Sequence, residues 1–168
     1  MDILKTATDW TKAEMVSSAF FVLFGLCFIL ASLGFWQLGK TDVSKAYVVP
    51  TLVAGSLLLI IGLGIFLPGF WRVSSFAEAY NSDAAGFVAS EIRRADKVLN
   101  DYRIAVFRVI PLIISVCALA ILLFEAPIWR ASLVTTIAMM AAILMIDTNA
   151  NARLEAYREH LSAAEPTR

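Results

Sequence analysis

Histidine occurs once, cysteine twice, and charged side chains make up only 17% of the 168 residues. One imidazole and two thiols cannot supply the three or four ligands of a zinc site or an iron–sulfur cluster within one chain. The single imidazole, His160, lies in a polar tail rather than in an apolar pocket that could hold a haem, so no metal or other cofactor is expected. Cys27 and Cys117 fall near the middles of apolar runs, where free thiols pack as small hydrophobes, and no disulfide framework is indicated. The chain contains no G-x-S-x-G, Walker A or dinucleotide fingerprint. Gly62-Leu63-Gly64 sits inside an apolar run without the strand–turn–helix setting that a nucleotide site needs. Formal net charge is zero, which argues against a nucleic-acid partner. Residues 1–14, with Asp2, Asp9 and Glu14, lack the basic start of a signal peptide, and the last residues carry no lipidation motif. The first apolar run is therefore expected to be retained as a span.

What the chain has instead is long uncharged stretches. Glu14 and Lys40 enclose 25 uncharged residues, and Lys45 and Arg72 enclose 26. A bilayer core of roughly 30 Å needs about 20 helical residues, so both runs suffice by length. Arg108 to Glu125 and Arg130 to Asp147 enclose 16 each, which is short unless the Arg stems reach outward to the interfaces. Hydrophobic residues make up 60% of the chain and its mean hydropathy is +0.75. A soluble domain carries about 25% charge and could not wrap four such helices. The runs do not alternate polar and apolar residues as barrel strands would, so they are read as helices. The expected fold is an all-α integral membrane protein forming one domain, with spans at about 14–38, 47–70, 104–125 and 128–147.

Basic residues are distributed unevenly about these spans. Lys5, Lys12, Arg72, Arg93, Arg94, Lys97, Arg103, Arg153, Arg158 and Arg168 belong to one side, and only Lys40, Lys45 and Arg130 to the other. Lys and Arg accumulate in cytoplasmic loops, so both termini are expected in the cytoplasm, in a bacterial inner (plasma) membrane. Trp10 and Trp36 are expected at the two headgroup zones, with Phe70 and Trp71 as an inner aromatic girdle.

Local signals set finer boundaries. Thr11 with Glu14, and Ser75 with Glu78, have capping-box spacing and predict helix starts. Gly39 and Pro68-Gly69 predict helix ends, and Ser82 or Asp83 predicts the cap of a further helix. Pro127 suits a first helical position after the turn at Ala126. Val88, Ile92, Ala95, Leu99 and Tyr102 recur at heptad intervals, and Leu154, Tyr157 and Leu161 do the same after the fourth span. These stripes predict that the third and fourth helices extend into the cytoplasm, over 84–103 and 148–163, and zip together as an antiparallel hairpin. The alternative is that each amphipathic segment lies flat on the inner leaflet.

Arg108 and Asp147 are the charged groups nearest the apolar interior. They lie about 18 and 21 residues from the turn near Ala126, close enough in height for a register-setting pair at the inner edge. A contact to an ion or substrate in an inner vestibule is the alternative role. Glu125 and Arg130 bracket the outer turn and are placed to pair across it. Pro111 removes an amide one turn from Arg108 and predicts a kink. Gly55, Gly62, Gly25, Ala31 and Ser32 are small residues suited to close helix packing. Beyond membrane lipids, the partner expected is a second copy or another membrane protein. The function expected is that of a non-enzymatic membrane subunit or scaffold, the alternative being a homo-oligomeric ion channel or small transporter. A channel would draw on hydroxyls such as Ser17, Ser18, Ser32, Thr51, Ser56, Ser115, Thr135 and Thr136 from several copies.

Overall fold

The large apolar side chains point outward along most of the chain. Leu30, Ile60, Leu112 and Leu119 are all mostly exposed, on helices whose backbones satisfy their own hydrogen bonds. Such a surface suits hydrocarbon and not water. The computed structural model describes residues 3–163, and these are helical almost throughout. The order is α1 (Ile3–Leu38), a short α2 (Asp42–Ala46), α3 (Val48–Ser82), α4 (Ala84–Asp101), a π-helical segment (Tyr102–Val109), α5 (Ile110–Leu123) and α6 (Pro127–Ala163). Four helical units, Ile3–Leu38, Asp42–Ser82, Ala84–Leu123 and Pro127–Ala163, are long and apolar enough to cross a bilayer. The protein is a membrane protein whose transmembrane helices form a four-helix bundle.

α1 and α3 run antiparallel along a seam of small residues repeating every seven positions. Thr11, Ser18, Gly25 and Ser32 on α1 face Gly69, Gly62, Gly55 and Val48 on α3. At Gly25 and Gly55 each backbone carbonyl lies within 3 Å of where the other residue's Cβ would be. Ser32 closes one end by donating a 2.7 Å hydrogen bond to the Val48 carbonyl. With no hydrophobic force between helices in lipid, this backbone proximity supplies the van der Waals contact that holds the pair. Gly64 faces open space and has no such role, and Ala31 is exposed.

α6 is the hub of the bundle. It packs against α1, α2, α3, α4, α5 and the π segment, whereas among the described residues α5 packs only on α6 and the π segment. The central core accordingly joins Phe21 of α1, Ala54 and Leu58 of α3, and Met139 and Ile146 of α6, with no residue from α5.

Several helix boundaries differ from the sequence reading. Thr11 caps nothing: it is buried inside α1 and its hydroxyl donates to the Ala7 carbonyl at 2.9 Å. α3 does not stop at Pro68-Gly69, nor does a new helix begin at Ser75. It continues to Ser82, and the Ser75 hydroxyl donates to Arg72 within it. Tertiary packing of Gly69 against Met15 and of Phe76 in the core outweighs the lost amide of Pro68. Asp83 does cap α4, its carboxylate accepting from the Gly86 amide at 2.9 Å, and Pro127 does open α6. Arg130 donates to the Phe124 carbonyl at the end of α5 rather than pairing with Glu125. Trp10 is buried against the other helices, while Trp36, Phe70 and Trp71 are exposed.

Ahead of Pro111 the backbone widens to π geometry, with the Ile110 amide bonding the Ala105 carbonyl five residues back. A wider turn makes room for a residue that cannot donate, so the helix passes Pro111 without unwinding.

Gly55→Ala should destabilise the bundle by about 1–3 kcal/mol, because the new methyl meets the Gly25 carbonyl and the Ile29 backbone amide, which cannot move aside, as well as the Ile29 side chain. Gly64→Ala, made into open space, should be neutral or stabilising by at most about 1 kcal/mol. Thermal unfolding of both variants in one detergent, compared with wild type, measures the contrast.

Candidate functional site

The seam sets the height at which the ends of α1 and α3 meet, and the most concentrated polar chemistry lies there. Glu91, in the second turn of α4, shares a face with Val88 and Ala95 and is only 6% exposed. A carboxylate so buried must have its lone pairs filled. Arg72 of α3 reaches both of its oxygens through Nη2, at 3.1 and 3.2 Å. Arg94, one turn along α4, grips it from the other side with Nε at 3.3 Å and Nη2 at 2.8 Å. The Tyr157 hydroxyl of α6 donates to it at 2.9 Å. Forked, charge-assisted bonds of this kind are stronger than neutral ones and fix direction as well as distance.

Aromatic rings enclose the cluster. The Arg94 guanidinium lies 4.4 Å from the Trp10 ring centre, and Trp10 of α1 stacks on Tyr157 at 4.7 Å, nearly parallel. Arg72 lies 5.3 Å from the Phe76 ring, which meets Phe87 edge-on. A guanidinium over a ring face gains about 0.5–2 kcal/mol, more when water is excluded. Glu14 of α1 lies within the field of Arg94, Arg72 and Arg153, and Arg153 of α6 donates to the Ser17 hydroxyl. Side chains from α3, α4 and α6 thus converge on one carboxylate, and α1 supplies the ring against which Arg94 and Tyr157 pack.

The electrostatics agree with this packing. Burial alone would raise the Glu91 pKa, but the hydrogen bonds and charges of Arg94, then Arg72, and the Tyr157 hydroxyl hold it below the usual 4.5. Burial lowers the Arg72 pKa, as does the charge of Arg94 beside it, while Glu91 opposes both. Burial and the Glu91 charge raise that of Tyr157, so its hydroxyl stays protonated and donating. The carboxylate is saturated with donors and faces no open cleft. Its arrangement positions helices and leaves no free base or nucleophile at Glu91.

The eight stripe residues all fall in one place. Val88, Ala95, Leu154, Tyr157 and Leu161 are buried in a single core, with Ile92, Leu99 and Tyr102 packed against it. That core is more than a two-helix contact, because Ala7 and Trp10 of α1 and Phe76 of α3 belong to it too. Arg158 and Asp96, at 2.9 Å, join α6 to α4 at its rim. Arg108 and Asp147 are not brought together. No ion pair within 4 Å joins them, Arg108 is exposed, and Asp147 is half-buried. The π segment accounts for this, since each wider turn rotates the following side chains away from the face that α-helical spacing assigns them. The hydroxyls considered for a channel mostly turn to backbone carbonyls: Ser18, Thr51, Ser56, Ser115 and Thr136 all bond within their own helices.

Among the described residues no group of three or more His, Cys, Asp or Glu side chains is placed to hold a metal ion. No family model matches the chain, and neither a curated protein nor a solved structure matches it.

The Glu91 cluster was visible in the sequence only as an irregularity. Val88, Glu91, Ala95, Val98 and Tyr102 also follow heptad spacing, so an acidic residue occupies a position of the buried face. A charged residue inside an apolar stripe signals a partner, but the partners Arg72 and Tyr157 lie on other helices.

Glu91→Gln should lower stability by about 1–3 kcal/mol, since both arginines can still reach water after the charge is lost. The depressed pKa sets the pH dependence. The stabilisation is complete above the unfolded value near 4.5 and is lost as pH falls through the lower folded value. Unfolding midpoints measured from pH 7 to pH 3 should drop steeply below about 4.5 in wild type and less steeply in Glu91→Gln.

Proposed function

We propose that the chain is a non-enzymatic subunit or scaffold of a bacterial inner membrane, whose cytoplasmic end engages another membrane protein or a second copy. The observation that carries this reading is the Glu91 cluster. Its polar groups face inward and satisfy one another, so they serve to hold a rigid helical end rather than to act on a substrate. The part of α6 beyond Asp147 is 16 residues, about 24 Å of helix, which is long enough to present a side to a partner. In this reading α4 and the end of α6 form an antiparallel hairpin that projects into the cytoplasm, braced by the ends of α1 and α3. The shared core favours projection over a helix lying on the leaflet, because the apolar face of α4 is already covered. The outward faces of this end carry Arg93, Lys97, Glu155 and Glu159, all exposed, as a polar rim would.

Cytoplasmic termini follow from the ten-to-three excess of Lys and Arg. Cysteines placed singly at Ser44, Ser90 and His160, in a background without Cys27 and Cys117, report sidedness to a membrane-impermeant maleimide. Ser44 should react on intact cells, and Ser90 and His160 only after lysis. Reaction of Ser90 on intact cells would invert the orientation. For assembly, the measurement is the mass of the protein in mild detergent together with cross-linking in native membranes. A complex larger than one chain is expected. A strictly monomeric species with no cross-linked partner would overturn the subunit reading.

A further inference from the structure

The half of the bundle nearer α2 contains a feature unrelated to Glu91. α5 rests on α6 and not on α3, and the space left between α3 and α6 there is lined by those two helices. A groove of about 540 Å³ occupies it, with Val49, Val53 and Leu57 on one wall and Trp129, Thr135 and Met139 on the other. Small-molecule sites commonly enclose about 300–1,000 Å³ and combine apolar walls with very few polar groups. This lining has one polar group out of place. Thr135 is 2% exposed, and its hydroxyl has no hydrogen-bond partner. Its neighbours Ser132 and Thr136 each donate at 2.8 Å to the carbonyl four residues earlier, the usual resolution for a hydroxyl in an apolar helix. A buried hydroxyl left unpaired is costly in hydrocarbon, where no water can serve it.

We propose that this groove binds a membrane-dissolved small molecule that is largely apolar and carries a carbonyl oxygen, which accepts the hydrogen bond of Thr135 once that unpaired side chain turns about its Cα–Cβ bond toward the groove. A carbonyl is the acceptor that enters hydrocarbon with least difficulty, because it brings no donor of its own to satisfy. Depth separates such a molecule from the bilayer's own phospholipid. Thr135 lies six residues beyond Trp129, about 9 Å deeper along α6. Trp129 suits the headgroup boundary, where the ester carbonyls of phospholipids also reside. Those esters do not reach Thr135, whereas a ring carbonyl on a hydrophobic tail does, as in a lipid-soluble quinone.

The test uses the full chain in phosphatidylcholine nanodiscs, with a decyl-substituted benzoquinone as the probe and quenching of tryptophan fluorescence as the readout. Wild type should show a saturable component that disappears in Trp129→Phe, leaving only the collisional quenching of the other tryptophans. Thr135→Val keeps the shape of the side chain and removes one neutral hydrogen bond, so affinity should fall about 3- to 10-fold. Thr135→Ser keeps the hydroxyl and should bind as wild type does. Val53→Phe fills the groove from an exposed position and should abolish the saturable component. Since Thr135 has no partner to lose, Thr135→Val should melt no lower than wild type, which separates lost binding from lost fold. Absence of a saturable component in wild type overturns the proposal. Equal affinity of Thr135→Val and wild type overturns it too, because the groove would then hold hydrocarbon chains without reading the hydroxyl.

Discussion

Everything at the end of the bundle that carries Ile3 and Leu161 depends on how closely the α1 and α3 backbones approach at Gly25 and Gly55. Two helices at that distance cannot slide, because the residues seven positions away on either side are also small or also in contact. The seam therefore sets a single register over most of two long helices. That register brings Trp10 and Glu14 level with Arg72 and Phe76, and these side chains make the socket into which Glu91 fits. A shift of one residue on either helix would turn Arg72 away from the carboxylate and leave a buried charge unpaired. Packing of small residues in the apolar zone and electrostatics at its edge are thus one problem with a shared solution.

The second half of the chain is organised differently. α5 and α6 form a pair of their own, and α6 alone carries that pair onto α1 and α3. Near the chain ends the join is tight, with Tyr157 hydrogen-bonded to Glu91 and Arg153 to Ser17. Near α2 it is loose, and the groove beside Thr135 results. The bundle is held firmly at one end and opens toward the bilayer at the other. This asymmetry is what a helix anchored by charge-assisted bonds at one end and by dispersion alone at the other would produce.

The residues that sequence pattern identified best were those whose partners lie on the same helix. Apolar length marked the four spans, and Asp83 marked the start of α4. Signals that depend on what surrounds a residue were misleading. Thr11 and Ser75 have the spacing of caps, yet both sit inside continuous helices, because the packing of Trp10 and Phe76 rewards extending them. Arg108 and Asp147 match in height on straight helices, but the π segment ahead of Pro111 changes which way Arg108 faces.

Sequence alone determined that this chain crosses a membrane as helices, since hydrocarbon permits no unsatisfied backbone and four runs are long enough to span it. It also determined which glycines were available for close packing and which faces were apolar. Only the tertiary structure decided which glycines meet: Gly25 and Gly55 touch backbone to backbone while Gly64 faces open space. It also decided that Glu91, one acid among many in a polar stretch, is the buried one. Periodicity reports a residue's place on its own helix, whereas burial and charge pairing depend on neighbours hundreds of atoms away along the chain. Arg72 and Tyr157 come from helices on either side of α4 in sequence, and only the antiparallel register of the bundle brings them to the same carboxylate.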